Sequence, residues 1–262
     1  MSVETVLVTG ASSGIGRELA KSFAADGCRL VLLARKRQAL QELADELRRT
    51  HKAQSEIITA DLSEPAAPAR LFEHLQANGT RVDVLINNAG FGAQGQFAEL
   101  PLERQLEIIQ VNITSLTHLS RLMLPGMLDR RRGGVLNVAS TAGFQPGPRM
   151  AVYYASKAFV LSFSEGIAEE VRDRGVTVTA LCPGPTATNF AEAAGARFSW
   201  RFMKGAMSAK AVAEMGHRAF RDGQVVAISG FRNQLLALSV RLAPRGLVRR
   251  IVKRLNTASY KS

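Results

Sequence analysis

Tyr153 and Lys157 lie four residues apart in AVYYASKAFV, so on a helix they share one face. A phenol titrates at roughly 10, too high for ready proton exchange near neutrality, and a neighbouring cation favours the phenolate and lowers that value. Such a pair suits proton transfer with an oxygen whose charge changes during a reaction. Tyr154 is three residues from Lys157 and satisfies the same geometry, so spacing leaves the choice of phenol open. Ser140 ends an apolar run, with Thr141 beside it. A hydroxyl at the carboxyl end of a strand can donate to a substrate oxygen and steady its developing charge. An isolated tyrosine–lysine pair is more often packing and surface, so the surrounding sequence has to decide.

A second constellation opens the chain. In VETVLVTGASSGIGRELA, residues 3–20, Gly10, Gly14 and Gly16 stand between an apolar run ending at Thr9 and a helical pattern. The spacing is close to the dinucleotide fingerprint without matching it. Gly10 permits a turn that a Cβ would obstruct, Gly14 lets the backbone approach a pyrophosphate, and Gly16 lets the helix pack tightly on the sheet. The helix N-terminus then turns N–H groups and its positive dipole end toward phosphate. At the end of the second strand an acid would bind the ribose of NAD, whereas an arginine accommodates the 2′-phosphate of NADP. That strand reads LVLLARKR, with Ala34 where an acid would stand and Arg35 next. NADP is the expected dinucleotide, with NAD the alternative; Arg35 is its phosphate partner and Arg17 a second cation. Lys36 and Arg37 read as solvated surface.

These residues need a scaffold that brings them together. Apolar runs at 5–9, 29–34, 56–60, 82–87, 134–140, 176–182 and 224–228 are continuous rather than alternating, as in strands buried on both faces. Helical patterns lie between them, at 15–26, 37–51, 66–77, 102–128 (with Pro125 near its end) and 151–174. This alternation predicts an α/β, Rossmann-like doubly wound parallel sheet of seven strands, with right-handed crossovers and helices on both faces. No linker or internal repeat interrupts it, so one catalytic domain is expected over 1–234 and a C-terminal extension over 235–262.

Of the 262 residues, 46% are hydrophobic and 21% charged, a globular composition. The net charge of +12 raises the question of a nucleic-acid partner. Seven of those charges, however, sit in 235–262 as Arg241, Arg245, Arg249, Arg250, Lys253, Arg254 and Lys261, with no acid among them. No nucleic-acid motif accompanies them, and no nucleic-acid partner is expected. Neither a signal peptide nor a membrane span is legible, and a cytoplasmic location is expected. Cys28 and Cys182 form no C-x-x-C pair and read as reduced. His51, His74, His118 and His217 are scattered, and no metal site is expected.

Taken in order, the motifs resemble those of the short-chain dehydrogenase/reductase family over about residues 3–230. TGASSGIG, with Gly10, Ser12, Ser13, Gly14, Ile15 and Gly16, resembles its nucleotide-binding turn. Asp61-Leu62 is similar to its adenine-contacting pair, and Asn87-Asn88-Ala89-Gly90 to the NNAG that closes its fourth strand. Asn112 stands in a V-N-I context, Ser140 ends the fifth strand, and Tyr153 and Lys157 supply Y-x-x-x-K. Pro183-Gly184, with Thr186 and Thr188, resembles the loop that meets the nicotinamide end. The resemblance implies hydride transfer between NADP and an alcohol or carbonyl, with Tyr153 as general acid/base. It selects Tyr153 over Tyr154 and Ser140 over Thr141. It implies that Lys157 also binds the nicotinamide ribose, and that Asn112 holds a water relaying protons from Lys157. On its own context, Asn112 could equally pair with a helix backbone. A homo-oligomer, dimer or tetramer, is implied through the helices at 102–128 and 151–174.

Loops after the later strands carry Phe91, Phe144, Met150, Phe190, Phe198, Trp200, Phe202 and Met203, and 186–205 has the composition of a mobile lid. The expected substrate is a small-molecule apolar carbonyl or alcohol, lipid-like, sterol-like or aromatic; packing on the protein or on a partner subunit is the rival account. In 247–255, LVRRIVKRL, Leu247, Val248, Ile251, Val252 and Leu255 line one side, and Arg249, Arg250, Lys253 and Arg254 the other. Such a helix either makes peripheral contact with an anionic membrane or docks its apolar face on the domain. The competing functional account is a catalytically silent NADP-binding regulatory or scaffold protein.

Overall fold

The computed structural model describes residues 3–190, 194–195 and 205–258. In chain order its elements are β1 (Thr5–Thr9), α1 (Gly14–Ala25), β2 (Arg29–Ala34), α2 (Arg37–His51), β3 (Ser55–Thr59), α3 (Ala67–Ala77) and β4 (Val84–Asn87). Then follow α4 (Leu102–Ile109), a π-helical turn (Gln110–Ser115), α5 (Leu116–Asp129), β5 (Gly134–Val138), a 3-10 turn (Thr141–Phe144), α6 (Ala151–Val171) and β6 (Thr177–Cys182). The remainder holds β7 (Thr186–Ala187), β8 (Met207–Ser208), α7 (Ala209–Arg221), β9 (Val226–Ile228), α8 (Phe231–Leu242) and α9 (Arg245–Ala258).

The seven apolar runs form one sheet in the order β3-β2-β1-β4-β5-β6-β9, every neighbouring pair parallel. Their continuous apolarity has a direct cause. Val6 and Val8 of β1 pack with Leu19, Phe23, Leu40 and Val212 on one face. Leu7 packs with Leu71, Leu75, Leu119 and Met123 on the other. Strand order reverses between β2-β1 and β4, so a crevice opens beyond their carboxyl ends, where doubly wound sheets bind ligands.

Several boundaries move. The expected strand 134–140 stops at Val138, although Ala139 N–H still donates to Leu181 O (2.7 Å) and Thr141 N–H to Pro183 O (2.9 Å). Ser140 instead caps the 3-10 turn that follows. The expected helix 102–128 is interrupted by the π turn, whose extra residue turns Asn112 inward; a 3.6-residue periodicity does not reveal it. The expected boundary at 234 falls inside α8.

α9 docks through the row Val248, Val252 and Asn256, all buried. Of the two accounts of this helix, docking is what the structure shows. No helix among the described residues is long and apolar enough to cross a membrane. Nor do three His, Cys, Asp or Glu side chains gather as metal ligands among them. His217 and His74 instead meet carboxylates, Asp26 (2.8 Å) and Glu56 (3.1 Å).

Candidate active site

The loops after β1 and β4 are stitched together by side chains. Thr9 Oγ1 donates to Ile86 O (3.1 Å) and accepts from the Asn88 and Ala89 N–H groups (3.0 Å each). Asn88 Nδ2 donates to Thr9 O (2.9 Å) and Gly10 O (3.1 Å). Gly10 takes φ +65°, in the left-handed region, with Asn88 and Ala89 pressed against its Cα. Ser13 caps α1 without a side-chain hydrogen bond, leaving the first-turn N–H groups facing the crevice. Gly16 lies behind the loop: a Cβ there would fall 2.3 Å from Asn88 Nδ2 and 2.5 Å from Gly10 O. Its glycine serves loop against loop, which corrects the expected role in helix–sheet packing.

Ser12, Ser13, Gly14 and Ile15 line a cleft of about 1820 Å³, together with Gly10, Arg35, Asp61, Leu62, Asn88, Ala89 and Gly90. Arg35 Nη1 lies 3.7 Å from Asp61 Oδ2. Burial alone would raise the Asp61 carboxyl, but hydrogen bonds from Ser63 and the Arg35 guanidinium outweigh it and hold the pKa below the ordinary value. Arg17 does not join this cluster. It pairs with Glu46 of α2 (2.5 Å), which also takes Lys21 (2.9 Å), so the expected second cation is already spent.

Ser140, Tyr153 and Lys157 line the same cleft. Ser140 Oγ accepts from Ala142 N (3.1 Å), and its hydroxyl hydrogen-bonds the Tyr153 phenol. The Tyr153 ring leans on Phe190, with centroids 5.1 Å apart, and Gly92 lies flat against both rings. Burial pushes the phenol well above its ordinary 10.0, and the Ser140 hydrogen bond opposes that only in part. Lys157 Nζ donates to Val138 O (2.7 Å) and sits 5.9 Å from the Tyr153 ring centroid. Burial lowers its pKa from 10.5 to about 8, a nearby Cys182 acting weakly the other way. The expected lowering of the phenol by Lys157 is therefore not found in this geometry: desolvation dominates both groups and drives each toward its neutral form.

Adjacent tyrosines part company. The Tyr154 ring packs on Gly147 and its hydroxyl hydrogen-bonds Asn256 of α9. Asn112 does not line the cleft. Its Nδ2 donates to Phe91 O (3.0 Å) and Ser156 Oγ (2.9 Å), and its Oδ1 accepts from Phe91 N (3.1 Å). Both amide hydrogens are thus committed to protein acceptors, a loop carbonyl and a side-chain hydroxyl rather than the helix backbone expected as the alternative.

Pro183, Gly184, Thr186 and Thr188 close the cleft from the β6 side. Thr188 Cγ2 would lie 3.3 Å from a Cβ at Gly14, so this loop faces the glycine turn. Phe91, Phe144, Met150 and Phe190 line the same cleft, and Phe190 N–H donates to Thr188 Oγ1 (3.3 Å). Phe198, Trp200, Phe202 and Met203, and most of the expected lid, lie outside the described residues.

Sequence reasoning passed over Ser156, Gly143 and Asn233. Ser156 Oγ donates to Tyr153 O (2.7 Å), a Cβ at Gly143 would meet Lys157 O at 2.7 Å, and one at Gly184 would meet Asn233 Nδ2 at 2.2 Å. Only Ser156 carried a signal, its place between Tyr153 and Lys157.

A family model for short chain dehydrogenase matches residues 4–197. The chain belongs to the short-chain dehydrogenase family. It is 34% identical over 192 residues to a very-long-chain 3-oxoacyl-CoA reductase of Anas platyrhynchos, covering 71% of this chain and 61% of that protein. The match to this dehydrogenase relative thus spans less than two thirds of its length. A short-chain dehydrogenase from Sphingobium yanoikuyae in complex with NADPH superposes with a TM-score of 0.82 at 33% identity, covering 90% of this chain and 92% of that one. A short-chain dehydrogenase/reductase from Burkholderia phymatum in complex with NAD gives 0.81 at 28% identity, covering 92% of each.

Proposed function

We propose that this dehydrogenase interconverts a ketone or aldehyde and a secondary alcohol on an apolar substrate, using NADP in preference to NAD. The observation that carries this reading is the meeting of Ser140, Tyr153 and Lys157 in the cleft that the glycine turn opens. The turn fits a dinucleotide: its first-turn N–H groups are uncapped, and Gly10 and Gly14 hold backbone conformations no Cβ favours. Arg35 at the end of β2, after Ala34, favours a 2′-phosphate. The dinucleotide, when bound, supplies or accepts the hydride and, oxidised, adds a positive charge.

The chain's own groups handle the proton. Tyr153, held protonated by burial, donates from Oη to the new alkoxide in the reducing direction. Ser140 Oγ hydrogen-bonds the same oxygen and stabilises its charge as it forms. Lys157, when charged, favours the phenolate that remains and contacts the nicotinamide ribose. Asn112 is a positioning residue, fixing the Phe91 backbone and Ser156 and through them the first turn of α6.

The apolar lining, and a relative named for reducing very-long-chain 3-oxoacyl-CoA, support an apolar ketone. A homo-oligomer built through α4 and α6 belongs to the same reading, since Leu102, Leu106 and Phe159 are exposed there. So does peripheral membrane contact by residues 235–262. Tyr153→Phe should lower kcat on a ketone by roughly 10²–10⁴-fold with NADPH affinity kept. The assay is a ketone and alcohol panel followed at the reduced-nicotinamide absorbance with NADPH and NADH in parallel. An unchanged rate overturns the assignment.

A further inference from the structure

α8 and α9 stand over the apolar end of the cleft. Ala237, Val240, Val248 and Val252 line it from these two helices. Their outer sides are also apolar. On α8, Leu235 (59% exposed), Leu238 (58%) and Leu242 (89%) recur at helical spacing along one stripe, and Phe231 (78%), at the start of the helix, lines the cleft mouth. On α9, Leu247 (51%) remains exposed on the outer side and Ile251 (46%) at the cleft mouth, because docking consumes the neighbouring row of Val248, Val252 and Asn256. An ordinary docked helix leaves a polar outer face; this pair leaves large aliphatic side chains around the mouth of a cavity.

Charge says what covers them. Asp222 is the last acid of the chain, and eight cations follow it: Arg232, Arg241, Arg245, Arg249, Arg250, Lys253, Arg254 and Lys261. Arg249, Arg250, Lys253 and Arg254 are all exposed. A second copy of this chain, meeting the first through the same face, would press two unbalanced basic surfaces together. An anionic bilayer supplies both an apolar phase for the leucines and negative charge for the rim of cations.

We propose that the outer face of α8 and α9 docks on an anionic lipid surface and so places the mouth of the cleft at the membrane. This deepens the reading of the cleft as an apolar-substrate site: a substrate dissolved in the bilayer reaches Tyr153 without crossing bulk water.

The test sediments the full chain with phosphatidylcholine vesicles, with and without phosphatidylserine. Binding is expected to the anionic vesicles, with release at high salt. Replacing Arg249, Arg250, Lys253 and Arg254 together by Gln should weaken it by about fivefold per cation, roughly 600-fold in all. Leu235→Ser, Leu238→Ser and Leu242→Ser combined should also abolish it. None of these seven residues lines the cleft, so turnover of a water-soluble ketone should persist in both variants. No sedimentation with anionic vesicles, or salt-insensitive binding equal on both vesicle types, overturns the proposal even if a variant fails to fold. So does a leucine variant that dissociates an oligomer while still binding vesicles, which would make the face a contact between copies. A chain that binds anionic vesicles but reduces no ketone refutes the proposed activity and leaves the docking standing; an active chain that ignores vesicles refutes the docking alone.

Discussion

Gly16→Ala should destabilise the fold, although in an ordinary helix interior the same change stabilises by about 1 kcal/mol. The new methyl would sit 2.3 Å from Asn88 Nδ2 and 2.5 Å from Gly10 O, one contact with a side chain and one with backbone. Overpacking of this kind costs about 1–3 kcal/mol, and two contacts this short put it in the upper half of that range, about 2–3 kcal/mol, so after the propensity gain the net loss is about 1–2 kcal/mol. Asn88→Ala removes the first contact but also two hydrogen bonds, to Thr9 O and Gly10 O. Gly10 is partly exposed and can turn to water, whereas Thr9 is buried, so the loss is about 1–3 kcal/mol for one orphaned acceptor. The two changes share an atom. The double variant should therefore be less destabilised than the sum of the singles, by about 1 kcal/mol, with the Gly10 O contact surviving. Urea unfolding of the four proteins measures the cycle, and NADPH titration of the same samples reports whether the loop still binds. A more stable Gly16→Ala protein, or a strictly additive cycle, would refute the idea that Asn88 dictates this glycine.

Lys157 is protonated up to about pH 8 in the fold and to 10.5 unfolded, so across that window the unfolded chain binds the extra proton and stability rises with pH. Cys28 and Cys182, raised from 9.0 to about 12, act oppositely above pH 9, so the contribution is read as wild type minus Lys157→Met. That difference should climb by up to about 3 kcal/mol between pH 8 and 10.5 in unfolding titrations, and a flat difference contradicts the buried-cation argument. Arg35→Ala should raise the KM for NADPH by about 10–100-fold, the worth of one charge-assisted phosphate contact, and leave the KM for NADH within a few-fold; equal effects on both refute the phosphate role. Asn256→Ala removes the bond to Pro148 O (2.8 Å) and the partner of the Tyr154 hydroxyl. Hydrogen exchange in α9 should then quicken by about tenfold, the effect of roughly 1–1.5 kcal/mol, and unchanged exchange argues against the latch.

The sheet was legible because its strands are buried on both faces, so each apolar run stands out; even the short edge strand β9 was marked. Residues on the cleft were legible where a motif fixes them, as with Gly10, Asp61, Ser140 and Lys157. Three features were not. The π turn around Asn112 is set by contacts with Phe91 and Ser156, each more than twenty residues away in sequence. Arg17 was assigned by its nearness to Gly16 along the chain, but Glu46, twenty-nine residues on, holds it. The phenol's pKa was inferred from the charge on Lys157 and missed the larger effect, because helical spacing says nothing about how far burial has stripped both groups of water.

The adjacent pair Tyr153-Tyr154 shows how the C-terminal helix reaches the cleft. Both project from the first turn of α6, and their rings lie edge to face with centroids 6.0 Å apart. One hydroxyl meets Ser140 in the cleft; the other meets Asn256 on α9. Asn256 also bonds Pro148 O and accepts from Gln94 Nε2 (3.2 Å), so it joins the tail to the segments on either side of the cleft's apolar end. Rigid backbone of α6 links the two phenols, and a shift in how α9 seats is therefore felt one residue from Tyr153. Val248 and Val252 of the same helix line the cleft, so under the proposed function a ligand on its outward face should change KM for an apolar ketone more than kcat, and an equal change in both contradicts this coupling.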